Sequence, residues 1–386
     1  MNSTFLILIA IGLYFLFYFT YGRHLEKNVV KADENNETPA QRLFDGVDYI
    51  PANKYVLFGH HFASIAGAAP IVGPAIALAW GWLPGLLWVW FGNIFIGAIH
   101  DYLSLMSSVR YDGRSVQWIA GRIIKGRTGY AFSWFVLFAL ILIVAAFGAV
   151  LGKIFVAQPA VPTAYLLKII AALILGVLMY RVKLDFRLAT IIGITMLALA
   201  IYMGKLFPTS LPYEVWMGVF FFYIVIAASI PVNVLLQPRD YLNAWLLITG
   251  LVIGGISLII GFDTIKIPAY TSWSVPIIAG KDTPFWPVVP LIIACGSLSG
   301  FHSMVSSGTT AKQLESEKQG LFIGCGAMFT EGFLSTIVIV SIGVFVFSIM
   351  EPELAETLKS SPASFAEGYG KAIKSAGGPV GVFSRS

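Results

Sequence analysis

The residues with chemical reach in this 386-residue sequence are few, and they sit in apolar surroundings. His61 lies in GHHFASIAGAAPIVGPAIA (59–77) and His302 in ACGSLSGFHSMVSSGTTAKQL (294–314), each among small residues and hydroxyls. Ser64, Gly67, Pro70 and Gly73 in the first stretch, and Ser303, Ser306, Ser307, Gly308, Thr309 and Thr310 in the second, offer backbone and hydroxyl groups suited to a small polar substrate. Glu331, Asp101 and His100 add groups that take up and release protons. Nucleophilic chemistry is not indicated: GSLSG at 296–300 has Leu298 where a serine nucleophile would stand, and no HExxH, P-loop or GxGxxG context occurs. Cys295 and Cys325 show no metal-ligand spacing, so they read as buried small hydrophobes, and no metal or cofactor is expected.

The elements that must position these groups are membrane helices. The chain is 57% apolar and only 12% charged, where a soluble domain carries about 25% charged residues. A span needs about 20 mostly apolar residues. Windows near 4–22, 54–79, 82–108, 130–155, 163–181, 184–206, 214–236, 241–261, 286–310 and 319–349 qualify, which predicts an all-α integral membrane protein of about ten helices. The first window lacks a basic n-region and is followed by Arg23, so it reads as a mature span and not a signal peptide. With the N-terminus outside, fifteen Lys and Arg residues fall in inner loops and four, Lys153, Lys205, Lys266 and Lys281, in outer ones. That bias follows the positive-inside rule and makes the basic blocks a topology signal, so they imply no nucleic-acid partner. Residues 262–285, with Pro268, Trp273, Pro276 and Pro284, read as an external loop; past Met350 the chain turns polar with Glu351, Glu353 and Glu356, and residues 363–376 read as a short surface helix.

Offsetting the chain against itself by 241 residues aligns Gly59, His61 and Gly67 with Gly300, His302 and Gly308, both copies reading G-x-H-x5-G. Seven helices separate the two starts, so the copies run in opposite directions through the membrane, as an inverted-repeat transporter requires. The expected organisation is one membrane transport domain over 1–386, with a first repeat region at 54–206 and a second starting at 286–349. Pro70 and Pro74 predict a break between Gly67 and Gly73, and the glycines and hydroxyls of the second copy predict another. Unwound backbone at membrane depth is tolerated only inside protein or beside a water-filled cavity. Packing stands as the alternative, because small residues also line tight helix contacts and prolines kink helices without a ligand.

Glu331 lies twelve residues into its helix, roughly 18 Å deep at 1.5 Å per residue. A carboxylate there must be paired, protonated or facing water, which makes Glu331 a candidate proton carrier. Asp101 has Arg110 and Arg114 nearby in sequence, so a structural ion pair competes with a transport role.

The stretches 59–77, WGWLPGLLWVWFGNIFIGAIHDYLSLMSSVRYDGRS (80–115), PLIIACGSLSGFHSMVSSGTTAKQL (290–314) and GCGAMFTEGF (324–333) resemble the carbon starvation protein A family. The resemblance implies a permease of the amino acid–polyamine–organocation superfamily with a leucine-transporter-like core. It further implies uptake of peptides or pyruvate with protons, the two repeat starts corresponding to the first and sixth core helices. Members of that family continue with several more spans, so the resemblance implies an incomplete second repeat here, for which a short paralogue, further C-terminal spans or a partner chain would each account. The reading is therefore a proton symporter for peptides or small carboxylates in the inner membrane, serving nutrient scavenging in carbon starvation. A channel and a non-transporting nutrient sensor remain the rivals.

Overall fold

The computed structural model describes residues 1–278, 281–348, 350 and 352–375. Among them, Ser3–Val30, Trp82–Arg110, Gly126–Ala157, Ala160–Arg181, Phe186–Leu206, Leu236–Ile260 and Glu317–Ser348 are the seven helices long and apolar enough to cross a membrane. Lys54–Ile65 and Ala69–Trp80 form an eighth, bent by 46°. The remaining two expected windows are a shorter apolar helix, Tyr213–Ala228, and a segment divided into Phe285–Ile292, Ala294–Ser297 and Gly300–Gly308. The protein is thus an all-α, multi-pass membrane protein.

Helix starts follow local capping chemistry. The Asn53 side chain accepts from Tyr55 N at 2.9 Å and Asp185 from Arg187 N at 3.2 Å, each satisfying an orphan donor of the first turn. At the centre is Glu317–Ser348, 83% of whose most apolar window is buried. It is surrounded by the N-terminal helix, the bent pair, Trp82–Arg110 and the divided segment. The 126–157 helix lies at the periphery, with 11% of its window buried and Phe135, Phe138 and Leu142 exposed, as suits a lipid-facing surface. Its inner face meets 213–228 through Phe155, whose ring lies 5.0 Å from Trp216 and 5.3 Å from Phe220.

The bend in the first repeat helix covers Ala66–Ala68, at the Gly67 end of the expected interval. Ala66, at φ −82° and ψ 65°, ends the first half, and the second begins at Ala69. Pro70 therefore occupies the first turn, where its missing N–H is no loss, and starts a helix instead of breaking one. Pro74 is interior and cannot donate to the Pro70 carbonyl; the Ser335 hydroxyl donates to it at 3.0 Å instead. The divided segment is interrupted at Leu298 and Ser299, both extended. Asn93 Nδ2 donates to the Gly296 carbonyl beside that gap at 3.1 Å.

The two interrupted segments run antiparallel. His61 pairs with Thr310, Ile65 with Cys295, and Gly73 meets Ile292. A Cβ on Gly73 would overlap the Ile292 carbonyl, so only glycine permits this approach. At the end of the first segment Gly81, with φ +101°, turns the chain against Ala269. That residue belongs to the 262–285 loop, which carries a hairpin of Ser274–Ile278 and Lys281–Pro284. The expected surface helix is Pro362–Ser375, with Glu367, Lys371 and Lys374 exposed and one apolar face buried. Phe365 and Tyr369 are buried, and Tyr369 donates to the Ala75 carbonyl at 2.9 Å, because an amphipathic helix next to the end of the bent pair covers its apolar face there. Glu351 and residue 376 lie outside the described residues.

Candidate functional site

Where the interrupted segments pass each other, buried titratable groups gather in three linked clusters. The first is centred on His61. Its Nε2 lies 2.8 Å from Asp101 Oδ2 and its Nδ1 2.9 Å from Thr310 Oγ1, while Ser306 donates to Asp101 Oδ1. His61, Asp101, Ser306 and Thr310 are all 0% exposed. The carboxylate accepts on both oxygens, so the charge is held by two directed bonds, and the imidazole orients between an acid and a hydroxyl. The expected pairing of Asp101 with Arg110 or Arg114 does not form. Arg110 instead meets Glu317 at 2.9 Å, because Asp101 points into the helix core while the arginine stays at its exposed end.

The second cluster is one helical position away. His60 Nδ1 lies 2.9 Å from Asp240 Oδ2 and its Nε2 3.2 Å from Thr309 Oγ1. Ser64 donates to the same Asp240 oxygen at 3.1 Å. Arg239 places Nε at 2.9 Å and Nη2 at 2.7 Å from Asp240 Oδ1, and its Nη1 at 3.0 Å from the Tyr223 hydroxyl. Nearby, buried Lys168 donates to Asn243 at 2.8 Å. Neither Asp240 nor Lys168 is among the candidates named from sequence, although a charged residue within an apolar span is the signal that marks Lys168.

The third cluster lies beyond the Leu298–Ser299 gap. His302 Nε2 is 3.5 Å from Glu331 Oε2 and 3.8 Å from Cys295 Sγ, and its Nδ1 is 2.9 Å from Met328 Sδ. Neither Glu331 oxygen has a hydrogen-bond donor among the described residues, although the residue is 0% exposed.

Other expected site residues have structural duties. Ser303 donates to the Gly300 carbonyl at 2.8 Å, and Ser307 donates to Ser303 O at 2.7 Å while accepting from Val116 N at 3.3 Å. Pro70 and Gly73 form the crossing with Ser335 and Ile292. Gly67 borders the Phe147 ring at ordinary contact distance. Open space surrounds the Cβ positions of Gly300 and Gly308. His100 is exposed, one position round the helix from Asp101, and the structure does not bring it to the clusters.

Antiparallel interrupted helices enclosing charged groups define a polytopic membrane protein whose buried polar residues are its functional candidates. The chain matches the family described as carbon starvation protein CstA over residues 2–379, and it belongs to that family. It is 34% identical over 383 residues to the peptide transporter CstA of Campylobacter jejuni, covering 94% of this chain and 52% of that one. It is 36% identical over 356 residues to the peptide transporter CstA of Escherichia coli, covering 88% and 50%. To the pyruvate/proton symporter BtsT of Escherichia coli it is 34% identical over 385 residues, covering 94% and 51%. The chain thus spans about half the length of these curated relatives, whose names are those of transporters and not of enzymes. No solved structure matches it.

Proposed function

We propose that this chain forms the substrate- and proton-handling part of a proton symporter for peptides or small carboxylates such as pyruvate. In this reading it resides in the inner membrane with its N-terminus outside and serves nutrient scavenging in carbon starvation. One observation carries the proposal: His61, at 0% exposure, bridges Asp101 to Thr310 of the opposing interrupted helix. A group that links two broken helices through its protonation state is a means of coupling their movement to a proton. Substrate would lie against the backbone and hydroxyls of 61–67 and 303–310, with Pro70 and Gly73 setting the crossing. Asp101 with His61 would be one proton-carrying group and Glu331 with His302 the other. The antiparallel course of the two segments supports an inverted repeat and a leucine-transporter-like core.

Equilibrium binding of labelled pyruvate and labelled dipeptides to the purified chain tests the reading. Saturable binding of one class, lost in Ser306→Ala and His61→Ala variants that still elute as folded protein, is the expected result. Binding unchanged in both variants would remove this cluster from the substrate path.

A further inference from the structure

The third cluster carries a ligand set that transport of a peptide or carboxylate does not require. Cys295, His302 and Glu331 each bring one donor atom to a common point, and these atoms lie within 4.8 Å of one another. Tetrahedral zinc bonds of about 2.0–2.3 Å place neighbouring donors roughly 3.3–3.6 Å apart. The separations are 3.8 Å for Cys295 Sγ to His302 Nε2 and 3.5 Å for His302 Nε2 to Glu331 Oε2. The third pair, Cys295 Sγ and the Glu331 oxygen, lies within 4.8 Å, so ligation draws these two side chains together. The histidine is already oriented as a ligand. Its Nδ1 faces Met328 Sδ at 2.9 Å, and because a thioether only accepts, weakly, Nδ1 holds the proton and the Nε2 lone pair faces the other two ligands. Glu331 supplies an independent sign, since it is fully buried and both its oxygens lack a donor among the described residues. A thiolate and a carboxylate together carry two negative charges, which a divalent cation neutralises and which the membrane interior otherwise disfavours. Sequence spacing hides the set, because Cys295 and His302 flank the Leu298–Ser299 gap and Glu331 comes from another helix.

We propose that Cys295, His302 and Glu331 form a transition-metal site of the zinc class, with three protein ligands and a fourth position open. Binding displaces the thiol proton and the Glu331 carboxyl proton to solvent and leaves the metal bonded to thiolate sulfur, imidazole nitrogen and carboxylate oxygen.

Cobalt(II) added to the purified full chain is the probe. The expected result is one cobalt per chain with a near-ultraviolet thiolate-to-cobalt charge-transfer band that zinc displaces. The band should vanish in Cys295→Ser, persist in Cys325→Ser, and persist in Glu331→Gln with affinity lowered about tenfold or more. If Cys295→Ser does not fold, maleimide labelling of Cys295 in the Cys325→Ser background reads the same contact, and one equivalent of zinc should block it. Absence of bound cobalt in the unmodified chain, a band intact without Cys295, unaltered affinity in Glu331→Gln, or labelling that zinc does not slow would each overturn the site. Metal and proton exclude each other on Glu331, yet the two readings fail separately. Substrate binding without cobalt binding defeats this inference alone, and cobalt binding without substrate binding defeats the transport reading alone.

Discussion

Replacing Asp101 is the sharpest perturbation of the His61 cluster. Asp101 accepts from His61 Nε2 at 2.8 Å and from Ser306 on its other oxygen, all three residues being 0% exposed. In Asp101→Ala both donors lose their acceptor, each at about 1–3 kcal/mol for an unsatisfied buried group. A total near 3–5 kcal/mol is the range expected when one member of a buried charged pair is removed. Asp101→Asn is milder. Its carbonyl still accepts from Ser306, and its amide can donate to His61 Nε2 once the imidazole proton moves to Nδ1 and faces Thr310. Only charge assistance is then lost, about 1–2 kcal/mol. Thermal unfolding in detergent should rank the proteins as unmodified, Asn, then Ala, with the second step the larger. A double-mutant cycle of Asp101→Asn with His61→Gln should give a coupling energy of about 1–3 kcal/mol. Equal stability of the Asn and Ala variants, or coupling near zero, would refute the claim that the carboxylate is held by these two bonds.

Glu331→Gln should abolish uptake driven by an imposed pH gradient while substrate exchange at equal pH continues, because the amide mimics only the protonated acid; intact uphill uptake would release Glu331 from coupling. Gly73→Ala should destabilise by about 1–3 kcal/mol, since its Cβ overlaps the Ile292 carbonyl, and a neutral result in thermal unfolding would contradict the close crossing. Ser335→Ala should cost a similar amount, about 1–3 kcal/mol, by leaving the buried Pro70 carbonyl without a donor. Asp240→Ala should strand Arg239 and weaken the protein by about 3–5 kcal/mol, and Asp240→Asn less, with thermal unfolding again the measurement.

Much of this arrangement was legible in residue types. Long apolar windows placed the spanning helices, because lipid leaves a backbone few other solutions. The glycines and prolines of 59–77 marked an interrupted helix, and its break covers Ala66–Ala68, at the Gly67 end of the expected interval, because Pro70 sits in a first turn and starts the second half. His61 and His302, named from sequence, are both 0% exposed. Their partners were harder to read. Asp101 has arginines nearby in sequence, yet which side of a helix a carboxylate faces depends on the neighbour packed against it. Asp240 lies beside Arg239 at the end of a span and reads as part of a loop, although it anchors the His60 cluster. The burial of 362–375 depends on the bent pair beneath it, which no local pattern reveals.

Counterflow in proteoliposomes tests the central claim most directly. Vesicles holding the purified chain, preloaded with unlabelled pyruvate or dipeptide and diluted into trace label, should accumulate that label transiently, and vesicles carrying Asp101→Ala should not. Label entry no faster than in protein-free vesicles for both substrate classes would contradict a transport role for this chain.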